Sequence, residues 1–396
     1  MSKARLSRFE VSWPVQLAAI LAFSLYLHSL LWWTESMDLT LYLLPWFDHI
    51  VQAGPVGAFA HPFGNYTPPY LYLLALASLF HGAAAPMYII KLLSVAGTAF
   101  AAFATADLLK ACGGKPNHAV LLFAVPSVAI NAALFGQCDA IWAGACVLAV
   151  SSMISGRTVR SLVWCGIAFA FKAQAAFIAP FILGALAGRR APLWQWAIPP
   201  LVFAATMVPA RLAGWPAWDL AMIYPMQAHW FDIPGRLANP WIFATVFAPE
   251  AAKPFYWLGF AAAAAASAAT GALTSTSVGN RRAMLLLAVL SSLALPFLFP
   301  KMLERYFFLA DLLSIALALA YASRWTVAVA VAVQAASLLT LIGEMYFYVF
   351  PWPTLIGAGF STAALAVTVM LVRRSGARWP QLKLSRGLAL QRLPSA

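Results

Sequence analysis

Long apolar runs, separated by short pairs of basic residues, limit this chain more than any other feature it has. The runs at 13–33, 86–110, 282–299 and 354–372 stand between basic groups such as Arg157/Arg160, Arg189/Arg190, Arg281/Arg282 and Arg373/Arg374. A membrane helix needs roughly 20 apolar residues, and inside lipid each backbone polar group must be satisfied within the segment itself. Apolar residues make up 63% of the 396-residue chain and charged residues 9%, against about 25% charged in soluble domains. The net charge of +13 would fit nucleic acid if it were clustered. It is dispersed in pairs between hydrophobic runs instead, the pattern of cytoplasmic loops. The expected fold is an all-α polytopic membrane protein, one integral membrane domain over residues 1–396, with no nucleic-acid partner.

Orientation follows from the same charges. Lys3, Arg5 and Arg8 precede the first run, which reads as a signal-anchor with a cytoplasmic N-terminus. The segment 67–80 is about 14 residues long and opens with Pro68-Pro69, so it is read as interfacial rather than spanning. Lys110 and Lys115 then fall inside. The remaining spans lie near 118–134, 138–155, 160–173, 174–188, 192–211, 254–273, 282–299, 305–322, 325–342 and 354–372, giving about twelve in all. The pair 160–173 and 174–188 reads either as two spans or as one broken helix. Arg324 and the tail with Arg378, Lys383, Arg386 and Arg392 join the cytoplasmic side. Glu35, Asp38, Asp48, Asp139, Asp219, Asp232, Glu250, Glu304 and Glu344 fall outside, whereas Glu10 and Asp107 stay inside. The positive-inside rule does not require that bias, so a binding or catalytic outer face is expected.

Two outer loops are long, 34–85 and 212–253. In the first, Leu39, Tyr42, Leu43, Trp46 and Ile50 recur at helical spacing, and Pro45 breaks the helix or starts a second piece. One or two amphipathic helices lying on the membrane are expected, and the carboxylates on them read equally well as solvated acids. Asn65-Tyr66-Thr67-Pro68-Pro69 offers partners suited to sugar hydroxyls, or is an ordinary turn. Gly136-Gln137-Cys138-Asp139 is equally well a plain turn. Lys172, beside Gln174, is a costly intramembrane cation unless it is paired, functional or snorkelling. Pro300-Lys301-Met302-Leu303-Glu304-Arg305-Tyr306 puts two cations and an anion at the start of the following helix, which suits a headgroup phosphate. A Glu304–Arg305 pair with snorkelling is the alternative. Cys112, Cys138, Cys146 and Cys165 form no framework or metal pattern. The run Ala261–Ala266 suggests close small-residue packing.

The order Asp38…Pro45-Trp46…Asn65-Tyr66-Thr67-Pro68-Pro69, Gly136-Gln137-x-Asp139, Lys172-x-Gln174 and Pro300-Lys301-x-x-Glu304-Arg305-Tyr306 resembles the GT-C superfamily. These are polytopic glycosyltransferases that use polyprenyl-phosphate sugars. The chain is most similar to bacterial mannosyltransferase-like members and to the glucosyltransferases that extend lipid-linked oligosaccharide. The resemblance implies that Asp38 is the general base, with Asp48 as runner-up. It sets Lys301, Glu304 and Arg305, joined by Lys172, near the donor phosphate. Asn65, Tyr66, Gln137, Asp139 and Gln174 are implied near the sugars, and more loosely Asn239 and Trp241 of the Phe231-Asp232…Asn239-Pro-Trp241 stretch. Relatives often carry His where this chain has Leu303, so any phosphate role of that His passes to Lys301, Arg305 or Lys172, or the donor differs.

The implied activity is inverting transfer of a hexose from a polyprenyl-phosphate donor to a hydroxyl of a lipid-linked or polymeric glycan. The site would face the periplasm from a bacterial inner membrane, with both termini cytoplasmic. No cofactor or metal is required, although Asp139 or Glu304 could ligate one. A lipid-linked glycan polymerase or ligase, a transporter or flippase, and a non-catalytic scaffold are the other readings. A transporter is expected to show inverted repeats and helices broken at the midplane, whereas the polar residues here collect at the outer face.

Overall fold

The computed structural model describes residues 12–230, 235–346 and 351–380. Lys3, Arg5, Arg8, Glu10, Phe231, Asp232, Lys383, Arg386 and Arg392 lie outside the described residues. Among the described residues the chain is helical throughout, with no strand. The principal helices are α1 (Trp13–Leu31), α2 (Leu44–Ala53), α3 (Pro68–Ser78), α4 (Pro86–Cys112), α5 (Asp139–Ile154), α6 (Thr158–Phe171) and α7 (Ala179–Gly188). After these come α8 (Ile198–Ala213), α9 (Ala217–Trp230), α10 (Tyr256–Ser275), α11 (Arg281–Leu298), α12 (Phe308–Ala320), α13 (Arg324–Tyr346) and α14 (Trp352–Arg374).

Six helical segments are long and apolar enough to cross a membrane: α1, α4, α11, α13, α14 and Pro249–Ser275, which ends in α10. A seventh arises if the bent pair Pro116–Ala124 and Pro126–Leu134 is one span. Helices occupy each of the other expected segments, but α5, α6, Ala173–Gly188, α8 and α12 are shorter apolar helices. By length and composition, six or seven of the about twelve expected crossings are supported among the described residues.

Two breaks in these helices have identifiable causes. The bend of 64° falls at Val125 (φ −81°, ψ 120°), immediately before Pro126. Proline clashes with a helical residue in front of it and pushes that residue to extended geometry. The second break divides α6 from α7 at Lys172, whose backbone is extended (φ −159°, ψ 137°) and leads into the 3-10 turn Ala173–Ile178. The segment 160–188 is thus two helices interrupted at its one lysine.

The centre of the bundle is α5, α11 and α12, whose residues are buried almost without exception. Closest packing between α7 and α10 occurs at Gly184 and Gly188, where an added Cβ would overlap the Gly271 and Ser275 carbonyls. The close approach therefore sits below the Ala261–Ala266 run rather than in it, and of that run Ala263 is fully buried.

A second apolar cluster builds the outer layer. The stripe Leu39, Leu43, Trp46 and Ile50 is buried against Tyr70, Leu71 and Leu74 of α3, Ile90 of α4 and Trp215. The face expected to lie on the membrane thus packs on protein, and Tyr42 stays exposed. Pro45 lies in the first turn of α2, directly after the π-helical turn Leu39–Leu43. Lys91, fully buried in α4, donates to the carbonyls of Leu31 (3.2 Å), Trp32 (2.7 Å) and Thr34 (2.6 Å). One ammonium thereby satisfies carbonyls that the end of α1 would leave unpaired and holds the chain that enters the Asp38 segment.

Candidate active site

Five stretches far apart in sequence meet in one chamber. Asp38 comes from the turn before α2, Asn65 and Tyr66 from the loop before α3, and Gln137 from the turn before α5. Lys172 and Gln174 come from the α6–α7 break, and Leu303 to Tyr306 from the α11–α12 connection. The chamber has a volume of about 230 Å³ and is also lined by Gln227, Arg236 and Glu344.

Local backbone geometry explains how these groups are presented. Thr67 caps the approach to α3 with extended geometry, and its hydroxyl donates to the Ala170 carbonyl at 2.6 Å. That bond ties the Asn65–Tyr66 loop to the end of α6, two residues before Lys172. Lys301 adopts a left-handed conformation (φ 57°), a geometry uncommon for a residue with a side chain. Gly235 packs there, where a Cβ would stand 2.7 Å from the Lys301 Cα. The amides of Arg236 and Leu237 donate to the Met302 carbonyl at 2.8 and 3.0 Å. Those contacts carry Arg236 to the chamber wall.

Each of the four carboxylates at the chamber, Asp38, Asp139, Glu304 and Glu344, has a partner among the three cations Lys172, Arg236 and Arg305. Arg305 bonds Asp38, stands 3.4 Å from Glu304 and 3.7 Å from Asp139, and lies 5.4 Å from the centre of the Phe135 ring. Burial alone would lower its pKa, but Asp38, Glu304 and Asp139 together hold it well above the ordinary arginine value. Asp139 is almost wholly buried and accepts from Lys172 (2.6 Å), Asn131 (2.8 Å) and Trp142 (2.8 Å). Lys172 also lies 5.1 Å from the centre of the Tyr66 ring. Tyr66 donates to Gln137 at 2.9 Å, and Gln137 in turn donates to Asp38 at 3.1 Å. Burial raises the Tyr66 phenol, so it remains a donor. Arg236 pairs with Glu344.

Ten residues singled out from the sequence meet here: Asp38, Asn65, Tyr66, Gln137, Asp139, Lys172, Gln174, Leu303, Glu304 and Arg305. Asp139 stands behind the wall and anchors both Lys172 and Arg305. Four others lie elsewhere. Asp48 is exposed on α2 and does not line the chamber. Lys301 does not line it either, and its ammonium lies 5.9 Å from the centre of the Tyr256 ring. Asn239 donates to the carbonyls of Pro296 (3.0 Å) and Phe299 (3.1 Å). The Trp241 indole donates to Leu298 at 2.7 Å, so both fasten this segment to the end of α11. Gln227, Arg236 and Glu344 were not singled out for the site. They arrive from the second long loop and the end of α13, and no local pattern ties them to Asp38. Among the described residues no three His, Cys, Asp or Glu side chains gather as metal ligands.

With three cations set against four carboxylates, the chamber suits an anion that displaces one carboxylate from its arginine. Asp38 is the displaceable partner of Arg305, because its side chain is 26% exposed against 2% for Asp139.

Residues 52–188 match the family model described as alpha-(1->6)-mannopyranosyltransferase, N-terminal domain. The family is of GT-C mannosyltransferase type, and the chain is an integral membrane protein similar to it over this segment. The matched stretch contains Asn65, Tyr66, Gln137, Asp139, Lys172 and Gln174, and it supports glycosyltransferase activity. Asp38 and the Lys301–Arg305 stretch lie outside it. No curated protein matches the chain.

Proposed function

We propose that this protein transfers a hexose, in the first instance mannose, from a polyprenyl-phosphate carrier to a glycan hydroxyl on the extracytoplasmic side of the membrane. The donor's tail occupies the bilayer, and its phosphate meets Arg305 and Lys172 at the chamber. That phosphate brings one negative charge, which replaces the Asp38 carboxylate on Arg305. A bidentate arginine–phosphate contact is among the stronger charge-assisted bonds available. Asp38, released from its cation, becomes the base.

In the reaction the acceptor oxygen attacks the anomeric carbon as the bond from that carbon to the phosphate oxygen breaks. The acceptor proton passes to Asp38, and polyprenyl phosphate leaves with the bonding pair. A single displacement inverts the anomeric centre. Preorganised cations stabilise the charge that develops on the leaving phosphate, so a general acid is not needed. Gln137, which touches both Asp38 and Tyr66, orients the base.

The observation that carries this reading is the Arg305–Asp38 contact, which joins a phosphate-binding cation to a solvent-reachable carboxylate. The test is thermal stabilisation of the purified protein by a panel of short-chain polyprenyl-phosphate hexoses, with free polyprenyl phosphate as control. A ligand that binds only the folded state raises the midpoint with concentration. Stabilisation by one sugar lipid, lost in Arg305→Ala and kept in Asp38→Asn, is expected. Stabilisation by none of the panel refutes the donor assignment and favours a carrier bearing a diphosphate-linked glycan.

A further inference from the structure

The chamber makes no use of the far end of the bundle, and that end carries an unbalanced charge. α11 begins there and runs toward the chamber loop at its other end. Arg281 and Arg282 open α11, Arg373 and Arg374 close α14, and Arg378 follows four residues later. All five are exposed. Two hydrogen bonds fold these stretches into one corner. The Asn280 amide donates to the Ser375 carbonyl at 2.9 Å, and the Thr276 hydroxyl donates to the Arg378 carbonyl. The residue before Arg281 therefore touches the residue after Arg374, and Arg378 is held against the α10–α11 turn.

Nothing among the described residues balances these cations. None of the five forms an ion pair with a described residue. The sequence has no Asp or Glu between 251 and 303 or between 345 and 396. Asp107 serves Arg157 and Arg160 instead, at 3.8 and 3.9 Å. Arg281 and Arg282 also stand in the first turn of α11, where the helix dipole adds its positive end. The topology rule accounts for basic residues at this end, but it treats lysine and arginine alike. Every cation of the corner is an arginine, whose planar guanidinium takes phosphate oxygens two at a time. Tryptophans mark the depth, since they favour the headgroup layer. Trp379, directly after Arg378, and Trp194, six residues beyond the Gly188–Ser275 contact, are both exposed.

We infer that this corner binds the phosphate headgroups of anionic phospholipids in the leaflet that faces it, with Arg281, Arg282, Arg373, Arg374 and Arg378 as the cations. A lipid fits better than a soluble anion because the arginines ride on the ends of membrane helices, beside tryptophans at headgroup level. The inference rests on the membrane fold and is independent of the transferase reading.

The test places the full chain in nanodiscs of phosphatidylcholine, with and without added phosphatidylglycerol, and reads the melting midpoint. The anionic bilayer should raise the wild-type midpoint by about 5–10 °C at low salt, and by less at high salt. Arg281→Gln/Arg282→Gln and Arg373→Gln/Arg374→Gln should each lose about 2–4 °C of that rise. In phosphatidylcholine alone, Arg281→Gln/Arg282→Gln should hold or gain stability, because like charges beside a positive helix end are removed. Native mass spectrometry from the mixed bilayer should find phosphatidylglycerol retained on wild type in preference to phosphatidylcholine. No rise in wild type, or a full rise in both variants, overturns the inference. So does an equal loss in Arg157→Gln/Arg160→Gln, which would mark a general effect of surface charge. A rise reproduced by inorganic phosphate in phosphatidylcholine would overturn it in favour of a soluble anion.

Discussion

Replacing Lys172 by Met gives a severe and readable perturbation. The substitution keeps the length of the side chain but leaves the Asp139 carboxylate, 2% exposed, without the ammonium at 2.6 Å. Removing one member of a buried ion pair costs roughly 3–5 kcal/mol, because the remaining charge is stranded. Asp139 retains Asn131 and Trp142 as donors and Arg305 at 3.7 Å, which places the loss at the lower end, about 3 kcal/mol. At about 2 °C per kcal/mol for a chain of this size, the melting midpoint in nanodiscs falls by about 6 °C. The converse change, Asp139→Asn, costs less. Lys172 lines the open chamber and can regain solvent, and its side chain is 10% exposed. The double variant Lys172→Met/Asp139→Asn should recover several degrees relative to Lys172→Met alone, since no charge is then stranded. A Lys172→Met midpoint within 1 °C of wild type, or a double variant as unstable as the sum of the singles, refutes this reasoning.

Lys91→Met leaves three carbonyls at the end of α1 without their ammonium. It should lower stability by about 2 kcal/mol and depress kcat through displacement of Asp38, as checked by melting and by hexose transfer at saturating donor. Gly188→Ala drives a methyl group into the Ser275 carbonyl. About 1–3 kcal/mol is lost from α7–α10 packing, while KM for the donor stays at the wild-type value. Asp311→Leu strands Gln334 and Ser337, which donate to its carboxyl at 3.0 and 2.8 Å. It should destabilise by about 2–4 kcal/mol, more than Asp311→Asn, in the same melting assay.

The membrane fold was largely legible because its signal is additive: each apolar run and each arginine pair reports independently of tertiary context. Lys172 and Gln174 stood out for the same reason, as polar residues in an apolar stretch. What one sequence does not encode locally is which loops meet. Asp139 reads as part of an outer turn, near the sugars only by the resemblance, whereas the fold buries it between Lys172 and Arg305. Lys91 passes unnoticed inside the run 86–110, because a single cation scarcely alters the apolar average. Its partners are backbone carbonyls, which have no sequence signature. Asp311 is hidden likewise, satisfied by Gln334 and Ser337 one helix further on. The stripe on α2 shows the reverse error: its periodicity fixes a buried face but not whether lipid or protein covers it. Gln227, Arg236 and Glu344 reach the chamber only through tertiary contacts, one of them the packing of Gly235 against Lys301.

The central claim is that Asp38 alternates between a partner of Arg305 and the base that deprotonates the acceptor. Its most direct test compares Asp38→Asn with wild type in proteoliposomes, measuring hexose transfer from the stabilising polyprenyl-phosphate donor and, separately, the affinity for that donor. General-base assistance contributes about 10²–10⁴-fold, so kcat should fall by that factor. Donor affinity should hold or rise, because Arg305 no longer has a carboxylate to exchange for phosphate. Transfer at the wild-type rate, or a loss of donor affinity equal to the loss of turnover, would contradict the account.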